Sequence, residues 1–112
     1  MSQIVEVAAA EHRHFGALVT IRIGEQPLRR LTPSEAGILS RALAAVANGA
    51  SAEKQIFMSP IASDHEFEAT AQENGVAVKA PGCSDIFLDW TQTRGLAEAL
   101  ARLSGSTLAR SR

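Results

Sequence analysis

A chain of 112 residues with 46% hydrophobic and 21% charged side chains has room for one core of ordinary globular composition and not for two. Eleven Lys and Arg stand against twelve Asp and Glu, a formal charge of -1, which ranks nucleic acid low among partners because a polyanion binder carries a basic footprint. No apolar run approaches the roughly 20 residues that cross a bilayer, the start MSQIVEV lacks the pattern of an export signal, and the lone Cys83 has no internal disulfide partner, so a soluble, cytoplasmic protein without membrane contact is expected.

Gln3 to Ala10 reads as a strand with Val5 and Val7 on one face. After a polar corner from Glu11 to His14, Ala17 to Ile23 alternates cleanly. Ala17, Val19, Ile21 and Ile23 point one way, and Thr20 and Arg22 the other, which predicts a hairpin with the first strand. Gly24 to Arg30 is a connection through Pro27, with a short extended piece at Leu28 to Arg30.

The best-specified stretch follows, Leu31 to Gly49. Thr32 and Glu35 have the spacing of a capping box, and Pro33 falls at the first helical position, where its missing N–H costs nothing. Leu39, Ala42, Leu43 and Val46 recur on one stripe, which Ile38 and Ala45 widen. Asn48-Gly49 supplies the stop. Burying Ile38, Leu39, Leu43 and Val46 would contribute roughly 1.5–3 kcal/mol each, so packing decides whether this helix persists.

Lys54 to Ser59, with Ile56, Phe57 and Met58, reads as a strand ending at Pro60. The stretch SDHEFEATAQENGVAVKA admits two readings. As a helix it has Ser63 with Glu66 as a capping box and Asn74-Gly75 as a stop. As a hairpin it has Phe67, Ala69 and Ala71 alternating with polar neighbours, a Gln72 to Gly75 turn, then Val76 and Val78. The hairpin is preferred, because the helix would bury little more than Phe67 and Ala71. Asp64, Glu66 and Glu68 are then the wet face of a strand. Pro81-Gly82 marks a turn, Asp85 to Trp90 a strand, and Trp90 to Leu103 a helix with Leu96, Ala99, Leu100 and Leu103 on its stripe and Gly105 as its stop. Residues 106–112 read as a frayed tail.

Displacing the sequence by 57 residues superposes two blocks. Leu39, Ala42, Leu43 and Val46 fall on Leu96, Ala99, Leu100 and Leu103, while Val19, Ile21, Arg22 and Leu31 fall on Val76, Val78, Lys79 and Leu88. The box Thr32…Glu35 falls on Asp89…Gln92. Ala/Leu-rich helices match one another at many offsets, but here strand, cap and helix agree at one. The expectation is a single α+β domain over residues 1–105, with β-β-α repeats at 3–49 and 60–105. Its two layers would be a mainly antiparallel sheet and two main helices on one face.

Chemistry-bearing residues are few. His12 and His14 form an H-x-H pair whose imidazoles project to one side of an extended segment, but a structural metal site nearly always uses four protein ligands. Glu11, His65 and Cys83 are the obvious recruits, at no recognised spacing. Cys83 lies in the turn Pro81 to Asp85, where a nucleophile would still need a base and a lowered pKa. Phosphate-loop glycine spacings are absent, and neither a cofactor nor a catalytic residue is assigned.

Leu31, Thr32, Glu35, Gly49, Ser51, Ile56, Phe57, Ser59 and Pro60, in LTPSEAGILSRALAAVANGASAEKQI followed by FMSP, resemble the start of the helix-turn-helix of quorum-response transcription regulators. The resemblance implies a DNA-reading helix after Pro60. That helix would carry Asp64, Glu66, Glu68 and Glu73 with no Lys or Arg before Lys79, whereas a helix lying among phosphates is expected to be basic. The first helix is also about three residues longer than that pattern.

The alanines around Leu43, with Ile38, leave the first helix apolar over more of its circumference than one sheet face covers, so a second contact is expected, from a homodimer or from the last helix. The reading favoured by the sequence is therefore a non-catalytic binding or protein-interaction module that acts on a protein partner or by self-association. A DNA-binding regulator fragment ranks second, and a small metal- or cysteine-dependent enzyme using His12, His14, His65 or Cys83 third.

Overall fold

The computed structural model of the chain describes residues 4–49, 54–61 and 66–110. Seven strands and two helices follow in the order β1 (Val5–His12), β2 (Gly16–Ile23), β3 (Arg29–Leu31), α1 (Pro33–Ala47), β4 (Gln55–Met58), β5 (Phe67–Ala71), β6 (Gly75–Lys79), β7 (Ile86–Asp89) and α2 (Trp90–Arg110). All strand pairs are antiparallel. The fold is α+β, with the helices packed on the sheets, and no described helix is long and apolar enough to cross a membrane.

The strands divide into two sheets, β1-β2-β3 and β4-β5-β6-β7, where the sequence suggested a single one. Two of the edge strands, β3 and β7, are short for a local reason. β3 runs into the cap residue Thr32, and β7 ends at Asp89, which caps α2.

The stretch from Phe67 to Lys79 is the hairpin, closed by the Gln72 N–H donating to the Gly75 carbonyl at 2.7 Å. Period-2 burial of Phe67 and Ala69 outweighs the weak strand propensity of Glu and Ala. Because residues 67–71 are a strand, the DNA-reading helix implied by the regulator resemblance is not formed there. The proposed cap residue Ser63 lies outside the described residues.

Both helix starts are closed by reciprocal hydrogen bonds. Glu35 N–H donates to Thr32 Oγ1 at 3.2 Å and Thr32 N–H to Glu35 Oε1 at 2.9 Å. Gln92 N–H donates to Asp89 Oδ1 at 2.8 Å and Asp89 N–H to Gln92 Oε1 at 2.9 Å. Gly49, at φ +72, follows α1 in the left-handed conformation that ends it. Gly105 does not end α2, which continues to Arg110 through what the sequence marked as a frayed tail. A glycine inside a helix costs only about 1 kcal/mol, so the helix runs on through Gly105.

The core joins both sheets to both helices. Val19, Ile21 and Leu31 of the first sheet, Phe67, Val76, Val78 and Leu88 of the second, and Leu39, Leu43, Leu96 and Leu100 of the helices are buried together. α1 packs on β2, β3 and β4, and α2 on β1, β2, β6 and β7. The second contact expected of α1 is supplied by α2 of the same chain. It draws the buried stripe toward Ala36, Ser40 and Ala47 and leaves Ile38, on the other flank, 49% exposed.

The helices cross antiparallel with small residues between them. Ser40 Oγ donates to the Ala97 carbonyl at 2.7 Å and Ser104 Oγ to the Pro33 carbonyl at 2.8 Å. Gly37 allows the approach, since a Cβ there would stand 3.1 Å from Ser104 Oγ. At the far end Arg94 Nη2 donates to the Ala47 carbonyl at 3.1 Å, closing the C-terminus of α1 with a cation.

Thr32→Ala removes one arm of the cap and should lower unfolding free energy in urea by about 0.5–2 kcal/mol. Leu43→Ala and Leu100→Ala, both fully buried, should each cost about 2–5 kcal/mol. A near-neutral result at one position and not the other would mean that the two stripes are not equivalent.

Candidate functional site

The sequence-marked chemistry separates toward the two ends of the first sheet. β1 and β2 are joined by a three-residue turn whose last backbone adjustment is Gly16 at φ +77. His12 sits at the end of β1, and its Nδ1 accepts from the amides of His14, at 3.0 Å, and Phe15, at 3.3 Å. Nδ1 is thus spent on holding the turn, which leaves only Nε2 of this imidazole to bind a metal. The His12 and His14 rings are 5.8 Å apart and the His12 and Phe15 rings 4.9 Å. Among the described residues no group of three or more His, Cys, Asp or Glu is placed to hold a metal. His65 lies outside the described residues.

Cys83 is exposed in the turn after β6, where its amide donates to the Ala80 carbonyl at 3.1 Å. It lines an open cleft of about 600 Å³ together with Ile4, Gly24, Gln26, Ser84 and Ile86. Ile4 directly precedes β1. At about 3.3 Å per residue, His12 therefore stands roughly 26 Å along the strand from Ile4. The histidine pair and the thiol cannot form one catalytic constellation.

Beneath the cleft lies a polar joint between the sheets. Arg29, in β3, is 0% exposed. Its Nε donates to the Glu66 carbonyl at 2.8 Å, and its Nη2 to the Lys79 carbonyl and to Gln26 Oε1, both at 3.0 Å. Gln26, also buried, donates Nε2 to the carbonyls of Val78 at 2.9 Å and Ser84 at 3.2 Å. The guanidinium also lies over the Phe67 ring, 5.4 Å from its centroid. Nη1 is buried without a hydrogen-bond partner. Burial pushes the Arg29 guanidinium below its ordinary pKa, and the nearby Cys83 partly opposes the shift.

Sequence reasoning did not single out Arg29 or Gln26. One signal was legible, because Arg29 shares strand parity with the apolar Leu31 and therefore faces inward while Arg30 faces out. The carbonyl acceptors were not legible, since they come from Glu66, Val78, Lys79 and Ser84, 37 to 58 residues away.

A buried arginine served mainly by backbone carbonyls holds elements in place and offers no base, nucleophile or labile proton. Trp90 acts similarly, with its indole Nε1 donating to the Glu73 carbonyl at 3.2 Å and tying the β5–β6 turn to the start of α2. Comparison with protein-family models, curated proteins and solved structures finds no match for this chain.

If Gln26 and Arg29 act as a unit, the cost of Gln26→Ala should fall in an Arg29→Met background, giving a coupling energy of about 0.5–3 kcal/mol in a double-mutant cycle read by urea unfolding. Additive costs would mean that each residue holds the sheets by itself.

Proposed function

We propose that this chain is a non-catalytic protein-interaction module built from a duplicated strand-and-helix unit. Support for the duplication goes beyond the sequence offset. Val19 pairs with Leu31, and Val76 with Leu88; Ile21 pairs with Arg29, and Val78 with Ile86. Each residue of the first pair stands 57 positions before its counterpart. Ser40 meets Ala97, its own counterpart at that displacement, at the helix crossing, as an approximate two-fold axis through the helix pair requires.

The observation that carries the interaction role is the solvent face of the four-stranded sheet. Phe57 on β4 is 57% exposed and Phe87 on β7 44%. Both lie opposite to the core-facing Ile56 and Leu88, on the face that holds Glu68, Thr70 and Lys79. Three strand spacings across the sheet and a two-residue offset along it put the two residues roughly 16 Å apart, the span of a small aromatic-anchored protein interface with a polar middle. The residues that chemistry would need, His12, His14 and Cys83, are engaged in turns or placed apart, which ranks the enzyme reading below the interaction reading.

The decisive measurement is affinity capture with the full chain and with a Phe57→Ser/Phe87→Ser double variant, each checked by circular dichroism. The expected outcome is a partner retained by the first and lost, by at least tenfold, from the second. Equal capture by both proteins would remove this face from the function.

A further inference from the structure

We infer that the free edge of β1 is the docking surface for a second copy of this chain, which adds its own β1 antiparallel to form one continuous sheet. The inference is independent of the Phe57–Phe87 face. It begins from how the sheet edges are finished. β3 has three residues, and β4 and β7 four each. β1 has eight, contains neither Pro nor Lys, and has β2 as its only sheet neighbour among the described residues. Long edges without such blocking devices are templates for another strand.

The second half of the chain supports the same conclusion. β5 precedes β6 as β1 precedes β2, and the outer edge of β5 is covered by β4. Among the described residues the first half has no such strand.

The edge selects its occupant by geometry. Gly24 N–H donates to the Ile4 carbonyl at 2.7 Å. The register Val5↔Ile23 continues to this pair, so the even-numbered residues of β1 direct their backbone groups at β2. The Ala8 carbonyl, which accepts from Thr20 Oγ1 at 3.2 Å, agrees. Antiparallel ladders alternate, so Val5, Val7, Ala9 and Glu11 direct theirs outward. Pairing with a second β1 about a two-fold axis at Ala8 sets Val5 opposite Glu11 and Val7 opposite Ala9 in both directions, and satisfies every outward N–H and C=O from Val5 to Glu11.

Moving the axis to Val7 or Ala9 leaves an end residue of this set unpaired. An axis between Ala8 and Ala9 turns the core face of one sheet to solvent and opposes Glu6 to Glu11. At Ala8, Glu6 faces Ala10 and lies diagonal to His12 of the second copy. That register also brings Ile4 opposite His12, against which Phe15 packs, so two exposed apolar residues at opposite ends of the hairpin cover each other. The three alanines at the centre, Ala8, Ala9 and Ala10, present no bulk to the approaching strand.

The test uses the full chain. Sedimentation equilibrium of the wild type at submillimolar concentration should give twice the mass of one chain. Ala8→Lys, which sets two ammonium groups against each other on the axis at an exposed position, should give a single-chain mass with unchanged circular dichroism. In a Cys83→Ala background, Ala8→Cys should oxidise to a covalent dimer, because a non-hydrogen-bonded pair at about 4.5 Å between Cα atoms lies within disulfide reach. Ala10→Cys, which faces Glu6, should not cross-link. A single-chain mass for the wild type would overturn the inference. So would a dimer that persists in Ala8→Lys, or cross-linking at Ala10 in place of Ala8.

Discussion

The antiparallel contact of α1 with α2 is the constraint on which the two sheets depend. Three strands, or four, with one apolar face are close to the smallest sheets that stand independently in water, and each must find a cover. Here the cover is shared. α1 reaches from β2 and β3 to β4, and α2 from β1 and β2 to β6 and β7, so neither sheet owns a helix outright. With Leu39, Leu43, Leu96 and Leu100 all essentially buried, and each such side chain stabilising by roughly 1.5–3 kcal/mol, the helix pair outweighs any single ladder. It stays close only because Gly37, Ser40, Ala97 and Ser104 are small at the crossing, and because Ser40 and Ser104 spend their hydroxyls on carbonyls of the opposite helix.

Apolar packing sets how much the layers attract and leaves open how they are aligned. Alignment falls to Arg29 and Gln26, which reach from the first sheet to backbone carbonyls at the end of the second. A carboxylate partner would have satisfied the charge anywhere within reach. Carbonyl oxygens on fixed strands satisfy it only in one relative position of the sheets, because guanidinium donors are rigid and directional. The cost is a desolvated cation with Nη1 left over, and the stacking of the guanidinium on Phe67 offsets part of it. Buried polar groups of this kind are better understood as devices for specificity than for stability.

What could be read from the sequence was whatever depends on neighbours. Thr32-Pro33 with Glu35, Asn48-Gly49, and the alternation from Ala17 to Ile23 are local signals, and each gave its element. Phe67 to Lys79 carries conflicting local signals, because Glu and Ala favour a helix while the period-2 placement of Phe67, Ala69, Val76 and Val78 favours strands. Burial settled it for the strands. Division into two sheets, the exposure of Ile38, and the Gln26–Arg29 joint were illegible for one shared reason. Each is decided by residues dozens of positions away, about which local periodicity carries no information.

The two sheets end differently at their outer edges. In the second half an extra strand, β4, runs beside β5, and at four residues bounded by Ser59 and Pro60 it presents little edge of its own. In the first half no strand among the described residues pairs with the corresponding edge of β1 along its eight residues, and Val5 and Val7 are half-buried. A chain that tolerated this edge as a monomer would be expected to carry a lysine, a proline or a bulge there. Its charges are instead Glu6 and Glu11, five residues apart and so on opposite faces of the strand. In the proposed dimer that arrangement would oppose Glu6 to Glu11 in the face-reversing register and leave the face-matching one open.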